Sequence, residues 1–179
     1  MNRINKDLSG FENLIGQDKI IIREISTEEL TILDDMLYEA VYLPEGAKPY
    51  PKDIIKSPEI YVYIDGFGNQ KDDYCLIADL NGQIIGAVWV RILADKIKGF
   101  GNIDDQTPEF AISLLKEFRN RGIGTSLMQQ MIEYLKKQKY IQASLSVQKV
   151  NYTVKMYQKL GFEIISENKD DYLMVLKLK

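Results

Sequence analysis

The sequence predicts a fold of the α/β (α+β) class, with a mixed, mainly antiparallel central sheet flanked by helices. Two apolar runs are separated by Asn81-Gly82, a pair that suits the tight turn of an antiparallel hairpin. An apolar run from Glu109 and an alternating run up to Val147 enclose an amphipathic segment, which indicates parallel strands joined by a helix. Short apolar runs at residues 162–165 and 172–178 predict two more strands.

The elements before the hairpin begin with a strand and a capped helix. Residues 1–18 are mixed and polar, and we expect them to form an extension, either a loose lead-in or a short helix. The apolar run at residues 19–25 predicts a strand. Ser26 and Glu29 stand at the spacing of a capping box, so a helix is expected to begin there and to run to about Tyr42.

A proline-rich loop separates this helix from a second one. Four of the five prolines fall between residues 44 and 58. Because proline fixes φ and lacks an amide hydrogen, residues 43–57 are expected to be a loop. Ser57-Pro58 then places a capping residue before a proline at the first helical position, and the helix that follows is expected to end near Gly66.

The second half of the chain alternates strands with helices. Residues 109–115 predict a strand, and residues 122–137 predict a helix whose apolar side chains share one face. Polar and apolar residues then alternate up to Val147, as in a half-buried strand. A last helix is expected over residues 151–160, where Gly161 stops it. The predicted order is β-α-α-β-β-β-α-β-α-β-β, and a ligand is expected at the first turn of the central crossover.

The composition restricts the classes of protein and of site. The 179 residues, 45% hydrophobic, suit one domain, expected at residues 19–179, and a net charge of −3 offers no field for nucleic acid. The longest apolar run, residues 84–90, is far shorter than the ~20 residues of a membrane helix. The absence of histidine removes Ser-His and Cys-His pairs and His-containing zinc sites, and the single Cys75 has no disulfide partner. We therefore expect a cytoplasmic protein with no metal, nucleic-acid or membrane partner.

The turn after the strand at residues 109–115 has the composition of an anion site. Glycines let the main chain approach a phosphate closely, and the first amides of the next helix, at its positive end, suit an anion. Flanking arginines add charge-assisted donors. The spacing excludes the P-loop and the dinucleotide-binding motif, and glycines placed only for steric reasons remain an alternative. The turn consists of Arg119, Asn120, Arg121, Gly122, Ile123, Gly124 and Thr125.

Two groups of residues in this frame resemble the GNAT superfamily of N-acetyltransferases. The family signature Arg/Gln-x-x-Gly-x-Gly/Ala after a strand is matched by Arg119, Gly122 and Gly124. The second landmark, an Asn followed by a Tyr and then Gly-Phe, is matched by Asn151, Tyr157, Gly161 and Phe162. With the order β-β-β-α-β-α, the resemblance covers roughly residues 19–179. Lys116 and Asn120 stand where the family often has proline and glycine, and neither difference removes a main-chain amide.

The resemblance implies direct transfer of an acetyl group from acetyl-CoA to a primary amine, without an acyl-enzyme. It assigns assistance of the leaving thiolate to Tyr157. Because a free tyrosine, with a pKa of about 10, is a weaker acid than a thiol at about 8.5, hydrogen-bond donation is the expected role. The alternative for Tyr157 is packing in the core. Glu109 is the candidate base, working through water, and its alternative is a solvated charge at a strand end.

The resemblance also implies a site for acetyl-CoA on the glycine turn and on the strand before it. Main-chain amides at residues 113–115 would hold the pantetheine arm and the oxyanion, while Asn151 would cap its helix and face the cofactor. The implied cofactor-binding residues are Leu114, Leu115, Arg119, Asn120, Arg121, Gly122, Ile123, Gly124, Thr125 and Asn151.

The sequence leaves the acceptor amine open. By resemblance, the loop at residues 43–57 and the helix with Tyr61 and Tyr63 would border the acceptor cleft, although both tyrosines also suit the core. Small molecules, peptide N-termini and protein lysines all fit as acceptors, and a homodimer is left open. Two other functions also remain. One is an acyltransferase for a longer acyl-CoA, which depends on the width of the cleft beside Leu114 and Leu115. The other is a regulatory module that binds acyl-CoA without catalysing a reaction.

Overall fold

The computed structural model describes residues 13–15, 18–44 and 46–178, and one mixed sheet runs through them. The strands are β1 (Asn13–Ile15), β2 (Asp18–Glu24), β3 (Tyr74–Leu80), β4 (Gln83–Arg91), β5 (Glu109–Leu114), β6 (Gln142–Gln148), β7 (Glu163–Glu167) and β8 (Asp171–Lys177). Within the described residues their order across the sheet is β1-β2-β3-β4-β5-β6-β8-β7. Neighbouring strands are antiparallel except β5 and β6, which are parallel. The predicted mixed, mainly antiparallel sheet is confirmed.

Helices cover both faces of this sheet. They are α1 (Ile32–Ala40), α2 (Pro58–Tyr61), α3 (Ile123–Lys137) and α4 (Val154–Lys159), and among the described residues no helix is long and apolar enough to cross a membrane. The α3 face, covered by α3 and α4, contains Phe110 of β5 in its core cluster. The α1 face, covered by α1 and the segment after α2, has Ala111 packed against its own cluster. Neighbouring residues of β5 therefore belong to different layers, as strand geometry requires.

The hairpin between β3 and β4 forms where the sequence predicts it. Asn81 and Gly82 both have positive φ, 53° and 88°. Two consecutive left-handed residues are what the tight hairpin turn needs, and Asn-Gly accepts that conformation more readily than other pairs. Leu80 pairs with Gln83 directly across the turn, so the turn residues set the register of both strands.

The segment before β2 differs from the expectation of a lead-in or a short helix. β1 lies within it and pairs antiparallel with β2. The rest of that expectation, at residues 1–12 and 16–17, lies outside the described part of the chain. The sequence contains no strand signal there that differs from its polar neighbours. The strand is recognised only from its pairing with β2 in the structure.

The two helices before the hairpin are shorter than expected. The Ser26 amide donates to the Glu29 carboxylate at 2.9 Å, as the capping box predicts, but the residues after Ser26 form a 3₁₀ turn, Thr27–Glu29. Glu29 also accepts from Arg23 of β2 at 2.6 Å, which ties that turn to the sheet. α2 is one turn long, and the proline-rich segment before it includes a second 3₁₀ turn, Lys52–Lys56.

Candidate active site

An opening between β5 and β6 forms the centre of the site. The register between the two parallel strands consists of one pair, Glu109 with Ser144, so within the described residues the strands diverge beyond it. At the far end of β5, the Leu115 amide donates to a β4 carbonyl at 3.0 Å. Because amides alternate in direction along a strand, those of Ile112 and Leu114 point toward the opening. The expected Leu114 donor thus faces the opening, whereas the Leu115 amide is turned away from it.

A turn with two left-handed residues leads from β5 into α3. Asn120 has a φ of 61° and Gly122 a φ of 82°. Asparagine tolerates this conformation better than most residues, which explains how it can stand in place of a glycine. The first hydrogen bond of α3 runs from the Ser126 amide to the Gly122 carbonyl at 3.0 Å, so the amides of residues 123–125 have no acceptor within the helix. They lie at the positive end of a 15-residue helix, where an anion is stabilised.

Gly124 connects this helix start with the opening. A Cβ on Gly124 would meet side-chain atoms of Leu114, Ile112 and Met156 at 3.4–3.9 Å, so the glycine borders the space between β5 and α4. A cavity of about 280 Å³ continues from there between α3 and α4. Its lining includes Thr125, one of the expected cofactor residues, and Lys159, which places a cation beside the glycine turn.

The two arginines of the turn have different partners. The Arg119 guanidinium donates to the Leu114 carbonyl at 2.9 Å and to the Glu39 carboxylate at 2.7 Å. It therefore joins the end of α1 to the end of β5 through Nε and one of its two terminal nitrogens. Arg121 is exposed and lies over the Phe118 ring at 5.7 Å. Arg121 can therefore turn its donors toward an anion.

Asn151 forms a hydrogen-bonded turn just before α4, whose N-cap residue is Thr153. Its side-chain oxygen accepts from the Thr153 amide at 3.0 Å and from the Thr153 hydroxyl at 2.7 Å. This is the local side-chain-to-backbone contact that favours asparagine at such positions. Its side-chain nitrogen makes no hydrogen bond to the described residues, so Asn151 keeps a donor for a ligand.

Tyr157 is buried on the α3 face. Its ring meets the edge of Phe162 with centroids 5.9 Å apart, and Phe162 in turn meets Phe110 of β5 at 5.7 Å. Burial raises the pKa of Tyr157 to about 12, and a hydrogen bond with Thr153 opposes that shift. The tyrosine is thus a core residue and remains protonated at neutral pH. It is a better hydrogen-bond donor than a source of a full proton.

Glu109 lies on the α1 face and is 2% exposed. Its Oε1 accepts from the Tyr63 hydroxyl and from the Gly101 amide, the latter at 2.7 Å. Burial raises the pKa of Glu109 to about 7, and the hydrogen bonds from Tyr63 and Gly101 oppose the shift. The side chain is therefore not the solvated strand-end charge that was the alternative. It is a carboxyl group whose pKa lies close to neutral pH.

A short loop at residues 99–101 encloses the Glu109 carboxyl group. A Cβ on Gly99 would overlap Oε2 of Glu109, and a Cβ on Gly101 would lie 2.8 Å from Oε1, so glycine is needed at both positions. Between them, the Phe100 amide donates to the Tyr63 hydroxyl oxygen at 2.8 Å. Burial, followed by the charge of Glu109, raises the pKa of Tyr63 well above its ordinary value, so its hydroxyl stays protonated and donates.

The part of the chain that contains the opening, the glycine turn and both landmark motifs matches a known family. A model of the family described as "Acetyltransferase (GNAT) family" matches residues 37–162. The chain belongs to the GNAT family of acetyltransferases. This confirms the resemblance drawn from the two motifs, and membership implies acyl transfer from an acyl-CoA.

Solved GNAT structures share the fold at low sequence identity. The acetyltransferase of the GNAT family from Streptococcus pneumoniae is 23% identical, with a TM-score of 0.63 over 89% of this chain and 99% of that one. The PaiA N-acetyltransferase from Thermoplasma acidophilum, in complex with coenzyme A, is 22% identical, with a TM-score of 0.62 over 88% and 98%. The ribosomal-protein-S18-alanine N-acetyltransferase from Escherichia coli is 14% identical, with a TM-score of 0.61 over 89% and 94%. Among curated proteins, no sequence matches the chain.

Several residues around this GNAT site are not singled out by the sequence motifs. Tyr63 was expected either at the border of the acceptor cleft or in the core, and its direct contact with Glu109 was not foreseen. Gly99 and Gly101 flank a phenylalanine shortly before β5, and that Gly-Phe-Gly spacing is the one local signal for a close backbone approach. Nothing in the sequence near Glu39 indicates its ion pair with the signature arginine.

Replacing Glu109 with glutamine is expected to stabilise the fold at alkaline pH. A folded-state pKa of about 7, against 4.5 for an unshifted carboxyl, means that this group's contribution to stability is fully present below pH 4.5 and is lost as pH rises through 7. The lost contribution to the free energy of unfolding is roughly 3 kcal/mol, because each unit of pKa shift corresponds to about 1.36 kcal/mol. In urea unfolding, the free energy of unfolding of Glu109→Gln should therefore rise relative to that of the wild type between pH 5 and pH 8. A constant difference between the two proteins across that range would contradict the shifted pKa.

Proposed function

We propose that the protein is an acetyl-CoA-dependent N-acetyltransferase that moves an acetyl group directly to a primary amine of a small molecule, peptide or protein. The observation that carries the proposal is the opening between β5 and β6. Tyr157 belongs to the core cluster on the α3 face, and Glu109 contacts Tyr63, which belongs to the cluster on the α1 face. An acyl donor bound on one face of the sheet and an acceptor amine bound on the other can come into contact through such an opening. We place the protein in the cytoplasm, in keeping with its single, buried cysteine.

The residues at the opening fit acetyl-CoA, which supplies a thioester as the activated acyl group. The amides of Ile112 and Leu114 provide donors along the opening for the amide-containing arm of the cofactor. The amides of residues 123–125, together with Arg121, suit its phosphate groups. Asn151 keeps a free side-chain nitrogen for the same ligand. This chain's contribution is to bind and orient the cofactor with main-chain donors whose positions the sheet and α3 fix in advance.

Glu109 and Tyr157 suit the two proton-handling roles. A protonated lysine-type amine has a pKa of about 10.4 and must lose a proton before it can attack. A carboxylate with a pKa of about 7 is a stronger base than an ordinary glutamate and is about half ionised at pH 7. The Tyr157 hydroxyl, protonated up to about pH 12, can donate a hydrogen bond to a departing thiolate.

The closed end of the opening favours a short acyl group. The strands come together at Glu109 and Ser144, next to the buried rings of Phe110 and Phe162. We infer that an acyl group bound there would meet these aromatic side chains if it were longer than acetyl. This arrangement supports acetyl-CoA over a longer acyl-CoA as the donor.

The decisive experiment is an acceptor screen that detects free thiol. Acetyl-CoA is supplied with a panel of a polyamine, an aminoglycoside, free amino acids, and peptides with a free N-terminus or an internal lysine. Thiol release above the acceptor-free rate, with an acetylated product in the mass spectrum, is the expected result. Hexanoyl-CoA in parallel tests acyl length. Binding of acetyl-CoA by calorimetry without turnover on any acceptor would instead support the regulatory module.

Replacing Tyr157 with phenylalanine is expected to lower kcat by about 10²-fold or more, the usual scale for loss of an acid catalyst. The affinity for acetyl-CoA should change little, because the ring that packs against Phe162 remains. Steady-state kinetics and calorimetry on the variant test this. Tyr152→Phe, which alters an exposed tyrosine just before α4, is the matched control. A variant that is less stable and yet turns over at the wild-type rate would show that Tyr157 serves only the core.

A further inference from the structure

The width of the opening at its open end is not set by pairing between its two strands. Among the described residues, β5 and β6 pair only at Glu109 and Ser144, which form the closed end. Backbone hydrogen bonds hold paired strands about 4.7–4.9 Å apart, and strand ends without such bonds lack that constraint. The spacing of the two strand ends therefore depends on other parts of the chain.

The end of α1 is bound to the end of β5 through Arg119. The guanidinium donates from Nε to the Leu114 carbonyl at 2.9 Å, and from one terminal nitrogen to the Glu39 carboxylate at 2.7 Å. The same terminal nitrogen donates to the Glu39 carbonyl at 3.4 Å, in the last turn of α1. The last carbonyls of a helix have no partner within it and lie at its negative end, where a cation is stabilised. Glu39 is thereby fixed relative to β5.

The segment after α1 is bound to the end of β6 through Tyr42. The chain leaves the helix at Val41, which is extended with a ψ of 113°. The Tyr42 hydroxyl then donates to the Val150 carbonyl at 3.3 Å. Val150 lies in the turn that follows β6, where the Asn151 amide donates to the Gln148 carbonyl at 2.9 Å. Tyr42 is thereby fixed relative to β6.

These contacts connect the two strand ends in one continuous path. From β5 to β6, the path consists of Leu114, Arg119, Glu39, Tyr42, Val150 and the turn at residues 148–151. Residues 39–42, which we name the α1 bridge, contain both anchoring side chains. Because an extended chain spans at most about 3.6 Å per residue, the Cα atoms of Glu39 and Tyr42 can lie no more than about 11 Å apart. The α1 bridge therefore limits how far the strand ends can separate.

We propose that the α1 bridge fixes the width of the opening at its open end, with Glu39 and Tyr42 as positioning residues for acyl-CoA. The inference rests on the proposed function, in which the arm of the cofactor lies in the opening. Neither residue needs to touch the cofactor, because both act through the distance between the strand ends. With the α1 bridge intact, the strand ends already have the spacing that the cofactor requires, and binding does not have to order them.

The charge of Glu39 by itself predicts the opposite effect of its removal. A carboxylate close to the glycine turn repels a phosphate bound there, so loss of the charge alone would strengthen the binding of coenzyme A. It would also release a terminal nitrogen of Arg119 for that phosphate. Loss of a positioning residue weakens binding instead. The sign of the change in affinity therefore separates the two roles.

Calorimetry with coenzyme A on the full chain tests both ends of the α1 bridge. Glu39→Ala is expected to raise the Kd about tenfold and Tyr42→Phe about threefold, since each removes one anchor. The double variant should bind at most about tenfold more weakly than the wild type, because both changes interrupt one connection. A combined loss of about thirtyfold, the product of independent effects, would overturn the proposal. Tighter binding by Glu39→Ala would also overturn it.

A conservative variant, two controls and steady-state kinetics separate positioning from a role in the chemical step. Glu39→Gln keeps an acceptor oxygen for Arg119 and should retain most of the affinity. Asp35→Ala removes an exposed charge one turn earlier on α1, and Tyr152→Phe alters an exposed tyrosine after β6, so both should bind as the wild type. In Glu39→Ala the KM for acetyl-CoA should rise with the Kd, while kcat stays within about twofold. A lower kcat at an unchanged KM would contradict positioning.

Two spin labels measure the spacing of the strand ends directly. Lys116→Cys and Val150→Cys place them on exposed positions just after β5 and β6, and the Val150 carbonyl that binds Tyr42 is kept. Cys75, 1% exposed, is not expected to take up a label. Double electron–electron resonance should give a narrow distance distribution, which broadens when Glu39→Ala and Tyr42→Phe are added and narrows again with coenzyme A. A distribution that the two substitutions leave unchanged would overturn the proposal.

The proposed function and this inference can fail separately. If the wild type binds no coenzyme A, the site at the opening fails, and the α1 bridge has no role in it. The same follows if Gly124→Glu, which adds a charged side chain at the glycine turn, binds as tightly as the wild type. If Gly124→Glu loses binding while Glu39→Ala and Tyr42→Phe both keep it, the site stands and the α1 bridge alone is wrong.

Discussion

Replacing Gly124 with glutamate is expected to abolish acetyl-CoA binding without unfolding the protein. A Cβ at this position would meet Leu114, Ile112 and Met156 at 3.4–3.9 Å, which is ordinary contact, so the backbone need not move. The remainder of the side chain would extend among the residues that border the opening. Its carboxylate would lie beside the first amides of α3, where it would take the place of a phosphate and repel one nearby.

Calorimetry with coenzyme A should show the affinity of Gly124→Glu reduced by at least about 10²-fold, or about 2.7 kcal/mol. Two further variants separate the causes of the loss. Gly124→Gln has the same size without the charge and should retain part of the affinity, while Gly124→Ala adds only the tolerated Cβ and should bind nearly as the wild type. Circular dichroism and thermal unfolding check that each variant is folded. Unchanged affinity in Gly124→Glu would mean that the phosphates bind elsewhere.

The parts of the fold that the sequence predicts well depend on residues close together in the chain. Asn81-Gly82 specifies a hairpin because two adjacent residues adopt positive φ, whatever the rest of the protein does. The periodicity of α3 likewise lies within one segment, and its buried side chains are those of Ile123, Leu127, Met128, Met131, Ile132 and Leu135. β1 has no comparable local signal, because its strand character comes from pairing with β2.

The contacts that define the site are long-range, and a sequence pattern does not contain them. Tyr63 and Glu109 are 46 positions apart, and Arg119 and Glu39 are 80 apart. The glycine signature correctly marks the turn into α3, but it cannot show that the guanidinium of its arginine binds α1. In the same way, a glutamate at the start of a strand indicates a charge at a surface. Only the enclosing loop at residues 99–101 shows that this glutamate is buried with a shifted pKa.

Replacing Glu109 with glutamine is expected to remove most of the activity near neutral pH. Wild-type kcat/KM should rise with pH as Glu109 loses its proton, around its pKa of about 7, and again as the free amine fraction grows. Glutamine keeps the shape of the side chain and an oxygen for the Tyr63 and Gly101 donors, but it cannot take up a proton. Its kcat/KM should lie about 10²–10⁴-fold below wild type at pH 7.

The pH profile of the variant separates loss of a base from loss of structure. The groups that face Glu109 are the Tyr63 hydroxyl, which stays protonated, and Arg91 of the paired strand, whose charge is neutralised by Asp73 at 3.1 Å. The Tyr63 hydroxyl does not change its charge in this pH range, so the limb near pH 7 should disappear in Glu109→Gln. The rate should recover as pH approaches the amine's own pKa of about 10.4, since a neutral amine needs no base.

A matched control variant and the expected stability of Glu109→Gln separate the loss of a base from a loss of folded protein. Glu163→Gln, which alters an exposed glutamate on β7, should leave the whole profile unchanged. Because Glu109→Gln is also expected to be more stable than wild type above pH 7, a lower rate there cannot come from unfolding. A profile identical to wild type would exclude Glu109 as the base. The acceptor would then have to arrive already neutral or lose its proton to another group.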